Sequence, residues 1–185
     1  MERRIAVRLA AVCSAAGMNR SPKTRECSVP TLDWAGLSRI DFADAFSVDL
    51  DAAVDARDAA RHMVAAAPRW TTALMVARNV IVAPLGLRGG RARAGAIVIA
   101  AGTRLGPFHV ARADTEEVLV AADDRHLDAR LALLTGDGNQ LIAATAVAFN
   151  GRLGRAYFAV VKPFHRRIVP ALLRSVARTL DAERP

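Results

Sequence analysis

Cysteine is scarce. Cys13 and Cys27 are the only two, and both lie in an N-terminal stretch without clear pattern, so neither a disulfide framework nor a zinc site is indicated. Lysine is nearly absent: Lys23 and Lys162 stand alone among the cations, and arginine carries the rest of a formal net charge of +8. Aromatic residues make up 5% of the chain, and no basic stripe interleaved with aromatics marks a single-strand nucleic-acid surface. No uninterrupted apolar run approaches the roughly 20 residues that a membrane-spanning helix needs. These shortages argue against a disulfide-stapled, metal-organised, nucleic-acid-binding or membrane-spanning protein. They leave a cytoplasmic globular one as the expectation.

What is present fits that class. Hydrophobic residues account for 52% and charged residues for 24% of 185, a globular composition long enough for one domain with a real core. The net charge comes in alternating blocks, positive over 67–112 and negative over 113–138. Arginine and alanine are abundant throughout, so part of the basic bias reflects GC-rich coding rather than a partner. Residues 1–17 open like a signal peptide, positive then apolar then small, but Arg8 interrupts the apolar segment. The preferred reading is an over-long start, with Met18 as the true one and a fold indifferent to removal of 1–17. On this division, 1–30 is a disordered or mis-annotated extension and 31–182 is a single domain.

Periodicity places the elements. Residues 18–38 carry Pro22, Pro30 and several serines with no period, and read as an extended lead-in. Over 40–50, Phe42 and Phe46 share one side of an extended chain, so a strand is expected. Asp49 or Asp51 then offers an N-cap to a helix with Ala52, Ala56, Ala59, Met63 and Ala67 on one stripe. A second short helix follows Pro68, with Trp70, Leu74, Ala77 and Ile81 on its stripe, and 88–94 reads as a basic loop. From Gly106 the period changes to two. Segments 107–113, 116–122, 126–135 and 139–149 are separated by breaks too short for anything but antiparallel neighbours. The break at Gly136-Asp137-Gly138 carries strong hairpin chemistry. Finally Leu153, Tyr157, Val160, Phe164, Ile168, Leu172 and Val176 recur every three or four residues, marking a long amphipathic helix. Pro163 and Pro170 fall inside it, and a kink or break is expected near Lys162.

The expected fold is therefore α+β and helix-grip-like. It has an antiparallel four-stranded meander plus an N-terminal strand, two short helices and a long C-terminal helix. By fold-level analogy with polyketide-cyclase and START-like proteins, a curved sheet gripping one helix leaves a cavity between them.

Several stretches in order carry a resemblance. They are Asp41-Phe42-Ala43-Asp44-Ala45-Phe46, Ala67-Pro68-Arg69-Trp70, Arg78-Asn79, Pro84-Leu85-Gly86-Leu87, Gly106-Pro107-Phe108, Asp123-Asp124-Arg125-His126-Leu127-Asp128, Leu153-Gly154-Arg155-Ala156-Tyr157-Phe158 and Pro163-Phe164-His165. Together they resemble the bacterial domain-of-unknown-function family 2867, over roughly residues 25 to 180. The resemblance implies one uncharacterised domain with no agreed catalytic residues. Similar domains also follow NAD(P)-binding dehydrogenase-like modules in larger proteins, a module these residues do not contain, and this suggests a protein partner.

The densest polar run is 123–130. In a strand, His126, Asp128 and Arg130 share a face, and a carboxylate between imidazole and guanidinium fixes a tautomer and suits anion binding or acid–base work. The plainer reading is a solvated face of cross-paired charges. Arg78, on a largely apolar helix, reads either as an anion anchor or as a snorkelling surface residue. Trp70 reads as core or ligand platform. Tyr157 lies on the apolar stripe, so its ring is expected to be buried with its hydroxyl at a cavity edge or paired, while His165 is expected at the helix surface. The G-x-G-x-x-G and G-x-S-x-G signatures are absent, and the histidines and cysteines lack metal-ligand spacing, so no metal or cofactor is expected. The leading expectation is a binding domain for a small apolar or amphipathic molecule, with Trp70, Arg78, His126, Asp128, Arg130 and Tyr157 as candidate ligand contacts. The alternatives are a cyclase- or hydrolase-type enzyme using His126 and Asp128, and an interaction module for a redox partner.

Overall fold

The computed structural model describes residues 22–65, 98–105, 107–137 and 139–182. The expected second helix around Trp70, the basic loop and residues 1–21 lie outside the described residues.

The period-two segments form strands β4 (Phe108–Ala113), β5 (Glu117–Asp123), β6 (Leu127–Gly136) and β7 (Gln140–Phe149), each paired antiparallel with the next. The sheet is wider than the four-stranded meander expected. β2 (Phe42–Asp49) pairs antiparallel with β7, β1 (Thr24–Glu26) adds outside β2, and β3 (Arg104–Leu105) adds outside β4. The seven strands run in the order β1-β2-β7-β6-β5-β4-β3. β1 falls within the lead-in, whose three paired residues are too few to show a period. At the β6–β7 hairpin Asn139 takes a positive φ of 60°, a conformation that asparagine tolerates.

Helix α1 is Ala56–Ala65, starting later than Asp49 or Asp51 would set it. Asp49 is instead the last residue of β2, ion-paired to Arg25. Asp55 is the cap: its carboxylate accepts the Arg57 N–H at 2.7 Å, and its carbonyl accepts the Ala59 N–H at 2.9 Å.

The C-terminal helix α2, Arg152–Ala182, runs unbroken through Pro163 and Pro170. Pro163 and Ala159, whose carbonyl loses its donor there, are both exposed, so that carbonyl is not left buried and unpaired, and the expected break does not form. The buried face also differs from the expected stripe. Gly154, Phe158, Val169, Leu173 and Val176 face inward, whereas Leu153, Val160 and Phe164 are 41%, 52% and 42% exposed. Tyr157 and Val176 of the expected stripe are buried, while Leu153, Val160 and Phe164 lie off the packed face.

Strand alternation sorts the sheet into two faces. On one, Phe46, Val48, Val118, Leu133 and Leu141 pack against Ala56, Ala59 and Ala60 of α1 and Val169, Leu173 and Val176 of α2. Burial of a side chain such as Leu173 contributes about 1.5–3 kcal/mol. On the other face, Ala45, Leu119, Ala132, Leu134, Ile142, Ala144 and Ala146 pack beneath Trp34, with Cys27, Leu32 and Leu37 around it. The lead-in is thus a second layer of the fold rather than a tail.

Candidate functional site

The helix-covered face carries one polar interruption. Asp44 has the parity of Phe42 and Phe46, so it points toward α2, and its cross-strand partner Thr145 points the same way. α2 lays His165 over both. Its Nε2 lies 3.1 Å from Asp44 Oδ1 and 3.2 Å from Thr145 Oγ1. A carboxylate only accepts, so Nε2 carries the proton and donates to Asp44, with the threonine oxygen as a second acceptor. The Asp44 side chain is 4% exposed and that of His165 13%. Asp44 Oδ2 is buried without a hydrogen-bond partner among the described residues. Nδ1 of His165 takes no hydrogen bond among them either.

Aromatic rings close the end of this cluster. Phe42 meets His165 edge-on, with centroids 6.3 Å apart and planes at 84°. Phe158 packs on Phe42 at 4.7 Å and on Phe149 at 5.4 Å. Lys162, one turn before His165, holds its Nζ 4.9 Å from the Phe42 centroid, a cation–π distance. On the other side Leu131 is the cross-strand partner of Thr145, and Val120 is that of Leu131. Val120, Ala122, Ala129 and Leu131 are only half-buried, a small apolar floor beside the polar trio. Tyr157 is buried against Leu127 and Val161 at its margin.

The residues singled out from sequence are dispersed. Arg130 is buried on the opposite face. Its Nε donates to the Trp34 carbonyl at 3.1 Å, its Nη2 to the Ala35 carbonyl at 3.2 Å, and its Nη1 to Asp123 at 2.6 Å. It therefore fastens the lead-in. His126 sits in the bend before β6 rather than in the strand, where its Nε2 accepts from Arg125 Nε at 2.9 Å. Asp128 is the cross-strand partner of Asp123. Tyr157 packs against Leu127 and Val161, while Trp70 and Arg78 lie outside the described residues.

His165 is not the surface residue expected. It belongs to the row Gly154, Phe158, Val161, His165 and Val169, which the larger side chains at Leu153, Val160 and Phe164 masked in sequence. The signal for Asp44 was its parity: an acid on the same side of a strand as two phenylalanines.

Other polar groups have structural work. The Phe149 N–H donates to Asp41 Oδ2 at 2.7 Å and, with Arg39 beside it, holds that carboxyl below the usual carboxylate range. Burial raises the Cys27 thiol above its ordinary value. A cleft of about 110 Å³ at the rim, lined by Leu50, Val54, Thr135 and Gln140 among others, is small beside ligand pockets, which run about 300–1,000 Å³. Among the described residues no group of histidine, cysteine and acids is arranged to hold a metal, and no helix is long and apolar enough to cross a membrane.

The chain is thus an α+β domain whose antiparallel sheet, seven-stranded among the described residues, presents a buried carboxylate to an imidazole on its long C-terminal helix. It belongs to the DUF2867 family of proteins of unknown function, which matches residues 37–172. No curated protein and no solved structure matches it.

Proposed function

We propose that this protein binds a small apolar or amphipathic molecule between its sheet and α2, with Asp44, Thr145 and His165 as the polar anchor. The observation that carries the reading is the His165–Asp44 pair at 3.1 Å, set in an otherwise apolar face between aromatic rings and a half-buried floor. Ligand sites of this kind combine mostly apolar walls with a few convergent polar groups. The floor of Val120, Ala122, Ala129 and Leu131 supports an apolar body, and the trio supports one polar group on it. Trp70 and Arg78 stand in this reading on sequence grounds alone. His126, Asp128 and Arg130 add nothing to it, because Arg130 is spent on the Trp34 and Ala35 carbonyls and the three do not converge.

A thermal-shift screen with fatty acids, polyketides and sterols tests the proposal. A ligand at a hundredfold its dissociation constant adds about 2.7 kcal/mol, worth several degrees in a domain of this size. At least one amphipath is expected to raise the melting temperature of the wild type and to do so less in Leu131→Asp. A panel in which no member stabilises the wild type removes the binding reading.

A further inference from the structure

Resting on that binding site, we propose that Asp44 and His165 form an acid–base dyad that moves a proton within one bound molecule. The substrate class is an apolar ketone with an acidic hydrogen next to its carbonyl.

The dyad has a back and a front. Asp44 stands behind the ring, 4% exposed, and accepts the Nε2 proton. That bond fixes the tautomer, so Nδ1 is the nitrogen left with an open lone pair. The ring keeps 13% of its surface exposed, and Nδ1 is not committed to any described residue. A buried carboxylate that orients an imidazole and stabilises its charged form is the arrangement that makes such a nitrogen an effective base.

Thr145 does not turn the pair into a nucleophilic triad. A relay of that kind needs the hydroxyl and the carboxylate on opposite ring nitrogens. Here Thr145 Oγ1 and Asp44 Oδ1 share Nε2, at 3.2 and 3.1 Å. With the Thr145 hydroxyl on the wrong nitrogen, the dyad is left to take up a proton and return it. In the forward step Nδ1 removes the hydrogen from the α-carbon, the C–H pair becomes the enolate double bond, and the carbonyl oxygen takes the negative charge. In the return step the imidazolium delivers the proton to the same or another carbon of that molecule. Nothing is oxidised or reduced and no co-reactant is consumed.

Lys162 supplies the counter-charge. It lies three residues before His165 on α2, hence on the same side of the helix, with its Nζ 4.9 Å from the centre of the Phe42 ring that His165 touches edge-on. An ammonium there meets an oxygen that becomes negative as the proton leaves. The apolar floor and the Phe42–Phe158 pair suit the hydrocarbon body and call for no second charged group.

The test uses the full chain and three probes, β-tetralone, benzylacetone and cyclohexanone, in D₂O. Binding is read by saturation-transfer NMR, and exchange of the α-hydrogens for deuterium by loss of their proton signals. The wild type is expected to accelerate exchange in a probe it binds. His165→Gln is expected to lose about 10²–10⁴ of that acceleration. Asp44→Asn, a positioning change, is expected to lower the saturating rate by a larger factor than it raises the half-saturating concentration, and to shift the pH profile of that rate. Lys162→Met, at an exposed position, keeps the fold and slows exchange. A probe that binds yet exchanges no faster with wild type than in buffer overturns the dyad and leaves binding standing, whether or not His165→Gln folds. If none of the three binds, the ketone class is wrong and the inference falls, while the broader amphipath screen decides the binding reading.

Discussion

Gly154 sits where α2 crosses the start of β6. A Cβ there would collide with the His126 carbonyl oxygen and come within 3.7 Å of the Phe149 side chain. The obstacle is backbone, which cannot rotate away, and that carbonyl already accepts the Asn150 N–H at 2.8 Å. Gly154→Ala is therefore expected to cost about 1–3 kcal/mol, as overpacking does, despite alanine's better helix propensity. Denaturant melts of the two proteins measure it, and an alanine variant as stable as wild type would show that α2 does not approach so closely. His126 thus matters through its carbonyl rather than its ring, a role invisible in sequence. Arg130 was legible as important but not for the reason given: its strand parity was read correctly, and the occupant of that face was not. It fastens Ala35, whose φ of 48° is unusual for alanine, so Arg130→Ala leaves the carbonyls of Trp34 and Ala35 without their donor. The expected loss is about 1–3 kcal/mol, and Arg130→Lys, which cannot fork to two carbonyls and Asp123 together, is expected to restore only part of it.

At the level of elements, strands were easier to read than helix faces. The turns over 107–149 fix antiparallel pairing, with one register shift between Val110 and Arg112, so β4 to β7 lie within a residue or two of their expected bounds. A helix face is set by which residues meet a surface. Phe158 meets Phe42 and Phe149, and His165 meets Asp44 and Thr145, while Leu153 and Phe164 are left exposed. The start of α1 was misplaced because Asp49 is taken up as the last residue of β2, and Asp55 supplies the cap in place of Asp49 or Asp51. Asp55 also gives α1 a pH dependence. The hydrogen bond from the Arg57 side chain holds its carboxyl below the usual carboxylate range. A carboxyl depressed on folding contributes stability above its unfolded value, and that contribution is lost as pH falls through the lower folded value. Asp55→Ala is expected to cost about 0.5–2 kcal/mol at neutral pH. Below the ordinary carboxylate range the difference from wild type shrinks. Urea melts at neutral pH and in acid check this, and a constant difference across that range would assign the loss to packing instead.

Across the whole molecule, the chemistry of the candidate site came from residues far apart in sequence, 44, 145 and 165, which no local motif could join. The same holds for the limits of the domain. The family match begins at residue 37, yet the second face of the sheet is covered by residues before it. Trp34 is buried over Ala45, Leu119, Ile142 and Ala146, and β1 pairs Thr24 to Glu26 with β2. Side-chain links bind the same stretch, among them Arg174 to Thr24 at 2.7 Å, Arg166 to Glu26 at 2.6 Å and Arg112 to Asp33 at 3.3 Å. The exposed links contribute little individually, but removing a buried tryptophan alone costs about 3–5 kcal/mol. That is a large share of the roughly 5–15 kcal/mol that holds a domain folded. A chain starting at residue 18 is therefore expected to melt like the full chain. One starting at residue 38 is expected to lose its cooperative transition or to aggregate through the bared Leu119–Ile142 face. Circular dichroism melts and size-exclusion profiles of the three chains separate the cases. Equal melting temperatures for the chains starting at 18 and 38 would mean that Trp34 and β1 rest on a sheet able to stand without them.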